Sequence, residues 1–149
     1  MDIKALKSSN LKGKVSIPGD KSISHRSIIL SSIAEGISEI SGFLTGEDCL
    51  ATLNAFKKMG IKIDQHDRHI RVHGLGLNGL TKPGEDLDLG NSGTSMRLLA
   101  GLLSGQNFSS NLKGDSSLSS RPMNRIIEPL NKMGASISLE GDTAPIFIQ

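Results

Sequence analysis

The sequence is short of aromatic residues and of cysteine. Its 149 residues include four phenylalanines, one cysteine (Cys49) and neither tyrosine nor tryptophan. It therefore lacks the aromatic side chains on which single-stranded bases stack, and one cysteine forms neither an internal disulfide nor a cysteine-based zinc site. The chain also has little excess charge of either sign, because its 17 Lys and Arg residues are nearly balanced by 15 Asp and Glu residues. With no basic stripe along the chain, we expect no nucleic-acid partner.

Long hydrophobic runs are also absent. No apolar segment approaches the roughly 20 residues that span a bilayer, and residues 1–7 (MDIKALK) contain no apolar core of a secretory signal. We therefore expect no membrane partner and a reducing, cytoplasmic location. A chain of this length is expected to form one domain or a piece of a larger one.

Glycine and serine are abundant instead. The chain has 17 Gly and 21 Ser, and no Ser lies between Gly42 and Asn91, so the Ser residues fall into two regions. Their neighbours there are Lys, Arg, Ile and Leu rather than more Gly and Pro. This composition favours ordered polar loops over flexible linkers.

The hydrophobic pattern of the first half predicts an α/β unit. Its order is strand, helix, strand, helix, strand, strand. The first helix is predicted to end at Gly36, and Thr45 is predicted to cap the second helix. In chain order, the predicted segments are 15–17, 24–35, 38–44, 46–59, 61–63 and 70–72.

The second half repeats this order at an offset of about 70 residues. Leu87 and Leu89 take the places of Val15 and Ile17, and a second Lys-Met-Gly follows the last helix. An internal repeat of this length predicts a stacked or pseudo-symmetric α/β architecture. The two units are predicted at residues 15–74 and 85–149, with helices at 95–103 and 123–133 and an insertion at 114–121 that we expect to be a mobile loop.

The first polar loop, PGDKSISHR at residues 18–26, lies where a strand is predicted to lead into a helix. It combines a Gly turn, an ammonium, hydroxyls and a guanidinium with the free N–H groups of a helix start. Such a set binds phosphate or carboxylate; the alternative is a solvated turn in which Ser caps the helix. The spacing of Gly13, Gly19 and Lys21 does not match a P-loop.

Two further polar loops lie in the second half. GNSGTSMR at residues 90–97 offers two Gly residues for close backbone approach and an Arg one turn into the helix, although a capped turn explains it almost as well. GDSSLSSRP at 114–122 ends in Arg121 just before a helix. Arg125, one turn later, is interpreted as an ordinary surface residue.

The histidines do not predict a metal site. His69 and His73 share a strand face, and Arg71 between them disfavours a cation, so a solvated sheet face is the interpretation for both and for His66. His25 lies in the first polar loop and is expected to titrate near neutrality, without an assigned partner. Cys49 is expected to be a buried thiol.

Three segments together resemble the EPSP synthase (3-phosphoshikimate 1-carboxyvinyltransferase) family: PGDKSISHRS, LGNSGTSMRLL and GDSSLSSRPMNRIIEPLNKMGA. The resemblance runs over nearly all of the chain. It implies an inside-out α/β barrel built from βαβαββ repeats, of which two are present here, in one of two domains that face each other across a cleft. Residues 1–14 would belong to the other domain, and 15–149 would be part of the N-terminal one.

The resemblance also implies a reaction. This family transfers the enolpyruvyl group of phosphoenolpyruvate to the 5-hydroxyl of shikimate 3-phosphate through a tetrahedral adduct, in the shikimate pathway towards chorismate and the aromatic amino acids. It implies no metal and no organic cofactor, and a monomeric full-length enzyme.

The family's binding residues match individual positions in this chain. Lys21 matches a lysine that contacts both substrates and either supplies charge or relays a proton, and Ser22 and Arg26 match ligands of shikimate 3-phosphate. Gly93 matches a glycine that contacts phosphoenolpyruvate, and Arg121 matches the arginine that binds its phosphate or carboxylate. Asn91 and Thr94 are expected to support these. Glyphosate, which occupies the phosphoenolpyruvate position in the family, is expected to be accommodated with Gly93 present.

The family's acid–base carboxylates would lie beyond Gln149, so we expect the chain to be an N-terminal fragment that is inactive alone. Two alternatives remain. One is the sister enolpyruvyl transferase acting on UDP-N-acetylglucosamine, although residues 114–121 lack its reactive Cys and Ser22 stands in place of its Asn. The other is a non-catalytic anion-binding domain.

Overall fold

The computed structural model describes residues 2–7 and 10–149 and is an α/β structure. Met1, Ser8 and Ser9 lie outside the described residues, so the expected assignment of 1–14 to another domain falls partly on them. In the described part of the chain, the helices are α1 (Lys21–Ile33), α2 (Glu47–Lys58), α3 (Gly93–Leu103), α4 (Ser116–Ser119) and α5 (Asn124–Lys132). The strands are β1 (Glu35–Ile40), β2 (Lys62–His66), β3 (His69–Leu75), β4 (Leu87–Asp88), β5 (Ser110–Lys113), β6 (Ile137–Glu140) and β7 (Thr143–Ile148).

The strands form two sheets with related topology. The first has the order β1-β3-β2 and is antiparallel throughout. The second has the order β4-β5-β7-β6, in which β4 and β5 are parallel and the other pairs antiparallel. The order β5-β7-β6 in the second sheet corresponds to β1-β3-β2 in the first.

One hydrophobic core joins the two halves. In β3, Ile70 and Val72 are buried whereas His69 and Arg71 are exposed, as expected of a sheet with helices on one face. The largest fully buried side chains come from both sheets and from α1, α2, α3 and the connecting loops: Ile28, Phe43, Leu53, Phe56, Met59, Ile70, Leu87, Leu89, Met96, Leu99, Leu103 and Leu112. Both halves are therefore stabilised by the same buried surface.

The strand predicted at residues 15–17 does not form, and this prediction was wrong. Val15 and Ile17 are 81% and 75% exposed. In the second half, β4 pairs with β5, but in the described residues no strand pairs with the outer edge of β1, which corresponds to β5. Without a hydrogen-bonded neighbour, two apolar residues do not define a strand.

Two boundaries in the first half also differ from prediction. Helix α1 begins at Lys21 and ends at Ile33, and β1 follows after Ala34 alone, so Gly36 lies in the strand rather than capping the helix. The predicted strand 38–44 is therefore shifted to Glu35–Ile40. Gly46, not Thr45, is the residue that precedes α2.

The connection from α1 to β1 is tight because β3 packs against it. A Cβ on Gly74 of β3 would overlap the carbonyl oxygens of Ser31 and Ala34. This close approach depends on a residue 40 positions away, which the local pattern does not reveal. In the second half, α3 and α5 confirm the predicted helices.

The insertion at residues 114–121 contains the short helix α4, so the expectation of a loop without secondary structure was wrong. Asp115 caps this short helix by accepting a hydrogen bond from the backbone N–H of Leu118 at 2.7 Å, and Leu118 is fully buried.

Among the described residues, no helix has the length and apolarity required to cross a membrane.

Candidate active site at the amino-terminal ends of three helices

Residues in the first two turns of α1, α2 and α3 meet in a buried hydrogen-bond network. The Nδ1 atom of His25 in α1 lies 2.8 Å from the Oγ1 atom of Thr52 in α2 and 3.4 Å from the Oγ atom of Ser95 in α3. The two hydroxyl oxygens are 2.5 Å apart, and Ser92 Oγ lies 2.6 Å from Ser95 Oγ. All four side chains are buried. The amino-terminal halves of three helices therefore meet here, and a helix dipole favours an anion near its amino-terminal end.

Lys21 is the first residue of α1, and its Nζ atom forms an ion pair with Asp48 in the first turn of α2. Asp20 caps α1 by accepting a hydrogen bond from the N–H of Ile23 at 2.7 Å. The Lys21 side chain is 52% exposed, and it lines a cavity of about 330 Å³ together with Asp48 and Cys49. The ammonium is thus held at the helix end but remains accessible to solvent.

Ser22 and Arg26 lie on α1 close to Lys21, and both are exposed. Within the described ranges, neither side chain has a hydrogen-bond or ion-pair partner. Their hydroxyl and guanidinium groups are therefore available to a ligand at this end of the helix.

Gly93 is the first residue of α3, and two guanidinium groups lie next to it. A Cβ placed on Gly93 would lie 2.7 Å from Nη1 of Arg97 and 3.3 Å from Nη1 of Arg121. The absence of a side chain therefore lets both cations approach the backbone at the start of α3. Thr94, the next residue, is exposed.

Arg121 is held in place by the second polar loop and by α4. Its Nη2 atom donates to Oδ1 of Asn91 at 2.6 Å and to the Ser117 hydroxyl at 3.3 Å. The Asn91 amide nitrogen in turn donates to both carboxylate oxygens of Asp115, at 3.1 and 2.9 Å. The Asn91 amide hydrogen bond, followed by that from Leu118, lowers the pKa of the Asp115 carboxyl. Asp115 therefore fixes the orientation in which Asn91 presents its oxygen to Arg121.

A protein-family model for EPSP synthase (3-phosphoshikimate 1-carboxyvinyltransferase) matches residues 6–149. The chain belongs to the EPSP synthase family. It is 57% identical over 140 residues to the 3-phosphoshikimate 1-carboxyvinyltransferase of Methylococcus capsulatus and 56% identical over 142 residues to that of Pelobacter propionicus. These matches cover 93% and 94% of this chain but 32% and 33% of the relatives.

Solved structures agree with this family assignment. An EPSP synthase from Acinetobacter baumannii superimposes with a TM-score of 0.89 at 53% sequence identity, over 92% of this chain and 32% of that protein. The chain therefore has the α/β fold of EPSP synthases and spans about a third of the length of the curated relatives it matches.

The sequence did not indicate several residues that shape this EPSP synthase-family site. Asp48 was not predicted as a partner of Lys21, Thr52 was not predicted to have a role, and Ser95 was predicted only as part of the second polar loop and the start of a helix. The one available signal was the presence of hydroxyl side chains among the apolar positions of α2 and α3. Their joint role depends on the packing of helices that are far apart in the chain.

His25 and Cys49 have opposite pKa shifts with a shared principal cause. Burial lowers the pKa of His25 from 6.5, and Lys21 and Arg26 lower it further, against the opposing effect of Asp48. The expectation that His25 titrates near neutrality is thus corrected, because the side chain is buried beside two cations. Burial raises the pKa of the Cys49 thiol, and this side chain is buried as expected.

The histidines of the first sheet lie away from the helix ends. His73 Nε2 lies 3.1 Å from an Asp64 oxygen, and the hydrogen bond to His73 is the main reason that the pKa of Asp64 is lowered. Over residues 2–7 and 10–149, no three His, Cys, Asp or Glu side chains are grouped to hold a metal.

Proposed function

We propose that this chain supplies one side of the active site of a 3-phosphoshikimate 1-carboxyvinyltransferase. The full enzyme would transfer the enolpyruvyl group of phosphoenolpyruvate to the 5-hydroxyl of shikimate 3-phosphate and release phosphate. The observation that carries the proposal is that His25, one turn beyond Lys21 on α1, contacts Ser95 near Gly93 on α3, while Arg121 lies beside Gly93. Both substrates are multiply charged anions, and a preorganised cluster of cations and helix ends stabilises them.

The proposed roles follow from the positions of the side chains. Ser22 and Arg26, exposed beside Lys21 on α1, would bind shikimate 3-phosphate. The backbone at Gly93 and the guanidinium of Arg121 would bind phosphoenolpyruvate, and Asn91 would orient Arg121. Lys21 would contact both substrates. On binding, its ammonium would exchange the ion pair with Asp48 for a shared position between substrate and carboxylate.

The larger arrangement is also part of the proposal. Residues 1–14 would belong to a second domain, and residues 15–149 would be two repeats, 15–74 and 85–149, of the N-terminal domain. The exposed apolar side chains of Val15 and Ile17 support this, because a second domain would cover them. The enzyme would be a cytoplasmic monomer that uses no cofactor.

The two alternatives find less support. The family match favours the shikimate 3-phosphate enzyme over the sister enzyme for UDP-N-acetylglucosamine. A purely anion-binding role would not require the specific set of residues at the ends of α1, α3 and α4. It remains the appropriate description of the isolated 149-residue chain, which we expect to bind its ligands weakly and to be catalytically inactive.

Calorimetry on the 149-residue chain tests the proposal. Titration with shikimate 3-phosphate should give a saturable heat of binding, whereas titration with UDP-N-acetylglucosamine should give none. Arg26→Ala should weaken shikimate 3-phosphate binding by roughly tenfold, as expected for the loss of a charged hydrogen bond. Arg125→Ala, which removes an equal charge at the second residue of α5, should leave this binding unchanged. Equal loss in both variants, or turnover by the isolated chain, would contradict the proposal.

A further inference from the structure

One direction of the hydroxyl network around His25 gives every hydroxyl an acceptor within 2.8 Å. Ser92 Oγ accepts from the N–H of Ser95 at 3.2 Å and donates to Ser95 Oγ. Ser95 then donates to Thr52, and Thr52 donates to Nδ1 of His25. In the opposite direction, the Ser92 hydroxyl has no acceptor among the described residues. The Thr52 hydroxyl also lies 3.5 Å from the carbonyl oxygen of Asp48, a longer contact than the 2.8 Å to Nδ1. The shorter contacts therefore favour a lone pair on Nδ1 and a neutral imidazole with its proton on Nε2.

A protonated imidazole does not fit this position. With a proton on Nδ1, the Thr52 hydroxyl would lose its 2.8 Å acceptor, and the charge would be fully buried. Lys21 and Arg26 on α1 are nearby cations, Asp48 on α2 is already paired with Lys21, and the charged residue in the first two turns of α3 is the cation Arg97. The buried Nε2 atom has no partner in the described chain. Every surrounding element thus favours the neutral form.

His25 lies between the residues that would bind the two substrates. It is one turn beyond Lys21 on α1, and its partner Ser95 is two residues beyond Gly93 on α3. Hydrogen bonds among His25, Thr52 and Ser95 link α1, α2 and α3 near their amino-terminal ends. The imidazole therefore belongs to the contacts that hold Lys21 and Gly93 relative to each other.

We propose that His25 is a positioning residue of the enzyme, which as a neutral hydrogen-bond acceptor holds the amino-terminal ends of α1 and α3 at the spacing that phosphoenolpyruvate binding requires. This inference rests on the proposed function of the site. His25 contacts no substrate in this role and acts through Lys21 and Gly93. Loss of the acceptor, by substitution or by protonation, would separate the two ends and weaken binding before it affects the chemical step.

Two matched pairs of variants in the full-length enzyme test this role. His25→Asn retains a polar atom near the position of Nδ1, whereas His25→Leu retains bulk without an acceptor. Thr52→Ser keeps the hydroxyl, whereas Thr52→Val keeps the shape and removes it. We expect His25→Leu and Thr52→Val to raise the KM for phosphoenolpyruvate by roughly tenfold, with kcat changed by less than about threefold. His25→Asn and Thr52→Ser should stay within about threefold of the parent KM.

The pH dependence separates positioning from simple structural support. In the parent enzyme, the KM for phosphoenolpyruvate should rise at acid pH well below 6.5, because the folded protein lowers the pKa of His25 and delays its protonation. In His25→Asn this part of the rise should be missing. Unchanged KM in both His25→Leu and Thr52→Val, or the same acid-side rise in His25→Asn, would overturn the proposal.

Nitrogen NMR of the 149-residue chain provides a readout that does not depend on the proposed reaction. The Nδ1 resonance of His25 should show a lone pair accepting a hydrogen bond, and Thr52→Val should shift both this resonance and the Gly93 amide. If the parent enzyme had no activity towards shikimate 3-phosphate, the proposed function would fail, while these shifts would still support the link between α1 and α3. A protonated Nδ1, or an unmoved Gly93 amide, would refute that link.

Discussion

At the scale of single residues, Gly93 is constrained by the space that its neighbours leave. Its backbone is helical, so alanine suits the conformation, but a Cβ would approach both guanidinium groups of the site. The contacts are with the ends of flexible side chains, which can move by a few tenths of an ångström. Substitution should therefore change the position of the cations rather than the stability of α3.

Gly93→Ala should separate binding from stability. In the full-length enzyme, we expect the inhibition constant of glyphosate to rise by about tenfold or more and the KM for phosphoenolpyruvate to rise less. The free energy of unfolding should change by under about 1 kcal/mol. Inhibition kinetics and urea unfolding measure the two effects.

Gly101→Ala is the matched control for this substitution. Gly101 is also in α3, and a Cβ there meets no atom within 4 Å. It should leave the inhibition constant unchanged. An unaltered constant in Gly93→Ala, or an equal change in Gly101→Ala, would refute the explanation based on close approach.

The sequence predicted which residue types would gather at the site but not how they are held. The three polar loops were recognised because Lys21, Gly93 and Arg121 stand in contiguous motifs. The partners Asp48 and Thr52 come from α2, whose residues carry no motif of their own. Contacts between side chains on different helices arise only when the helices pack, and a local pattern does not contain that information.

At the scale of elements, the amino-terminal end of α1 depends on its cap. Asp20 has extended backbone angles, and its carboxylate accepts from the N–H of Ile23. The hydroxyl of Ser24 stabilises the same end, because it donates a hydrogen bond to the Asp20 carbonyl and accepts one from the N–H of Leu44. These bonds fix the point at which the loop becomes a helix, three residues earlier than the apolar pattern predicts.

Asp20→Ala should lower the free energy of unfolding by about 1 kcal/mol, the usual loss for an N-cap side chain. Asp20→Asn should lower it by only a few tenths of that, because the amide oxygen still accepts the hydrogen bond. Urea denaturation followed by circular dichroism measures both values. Equal destabilisation by the two substitutions would show that charge, rather than capping, makes the contribution.

The elements most accurately predicted are those whose burial is decided locally. The apolar stripe of α2 and the alternation in β3 point to one buried face, and both elements appear where expected. Residues 15–17 and β1 were misplaced because their structure depends on neighbouring strands. A strand forms only where it can hydrogen-bond to a neighbouring strand, and the alternation of apolar residues along the chain does not show whether such a neighbour exists.

At the scale of the whole molecule, one core spans both halves, and the buried His25 network lies at the junction of α1, α2 and α3. Since the two halves share that core, we expect the described part of the chain to unfold cooperatively. The protonation of a single buried group should then be visible in the stability of the entire molecule.

The stability of the 149-residue chain should fall as the pH is lowered from 7.5 towards 4.5. The folded state lowers the pKa of His25, so between that pKa and 6.5 the unfolded chain binds more protons. Stability is therefore complete above about 6.5 and decreases below it. Asp64 and Asp115 also have lowered pKa values, but their ordinary value is 3.8, so their contributions are lost only at more acidic pH.

Urea unfolding at a series of pH values measures this dependence. His25→Asn should flatten the curve between pH 6.5 and 4.5, because its amide does not titrate. His66→Asn, which changes an exposed histidine on β2, should leave the slope as it is in the parent. Equal slopes of the parent and His25→Asn curves over this range would show that a neutral buried His25 does not determine the stability of the fold. The ends of the helices would then have to be held together by the surrounding apolar packing alone.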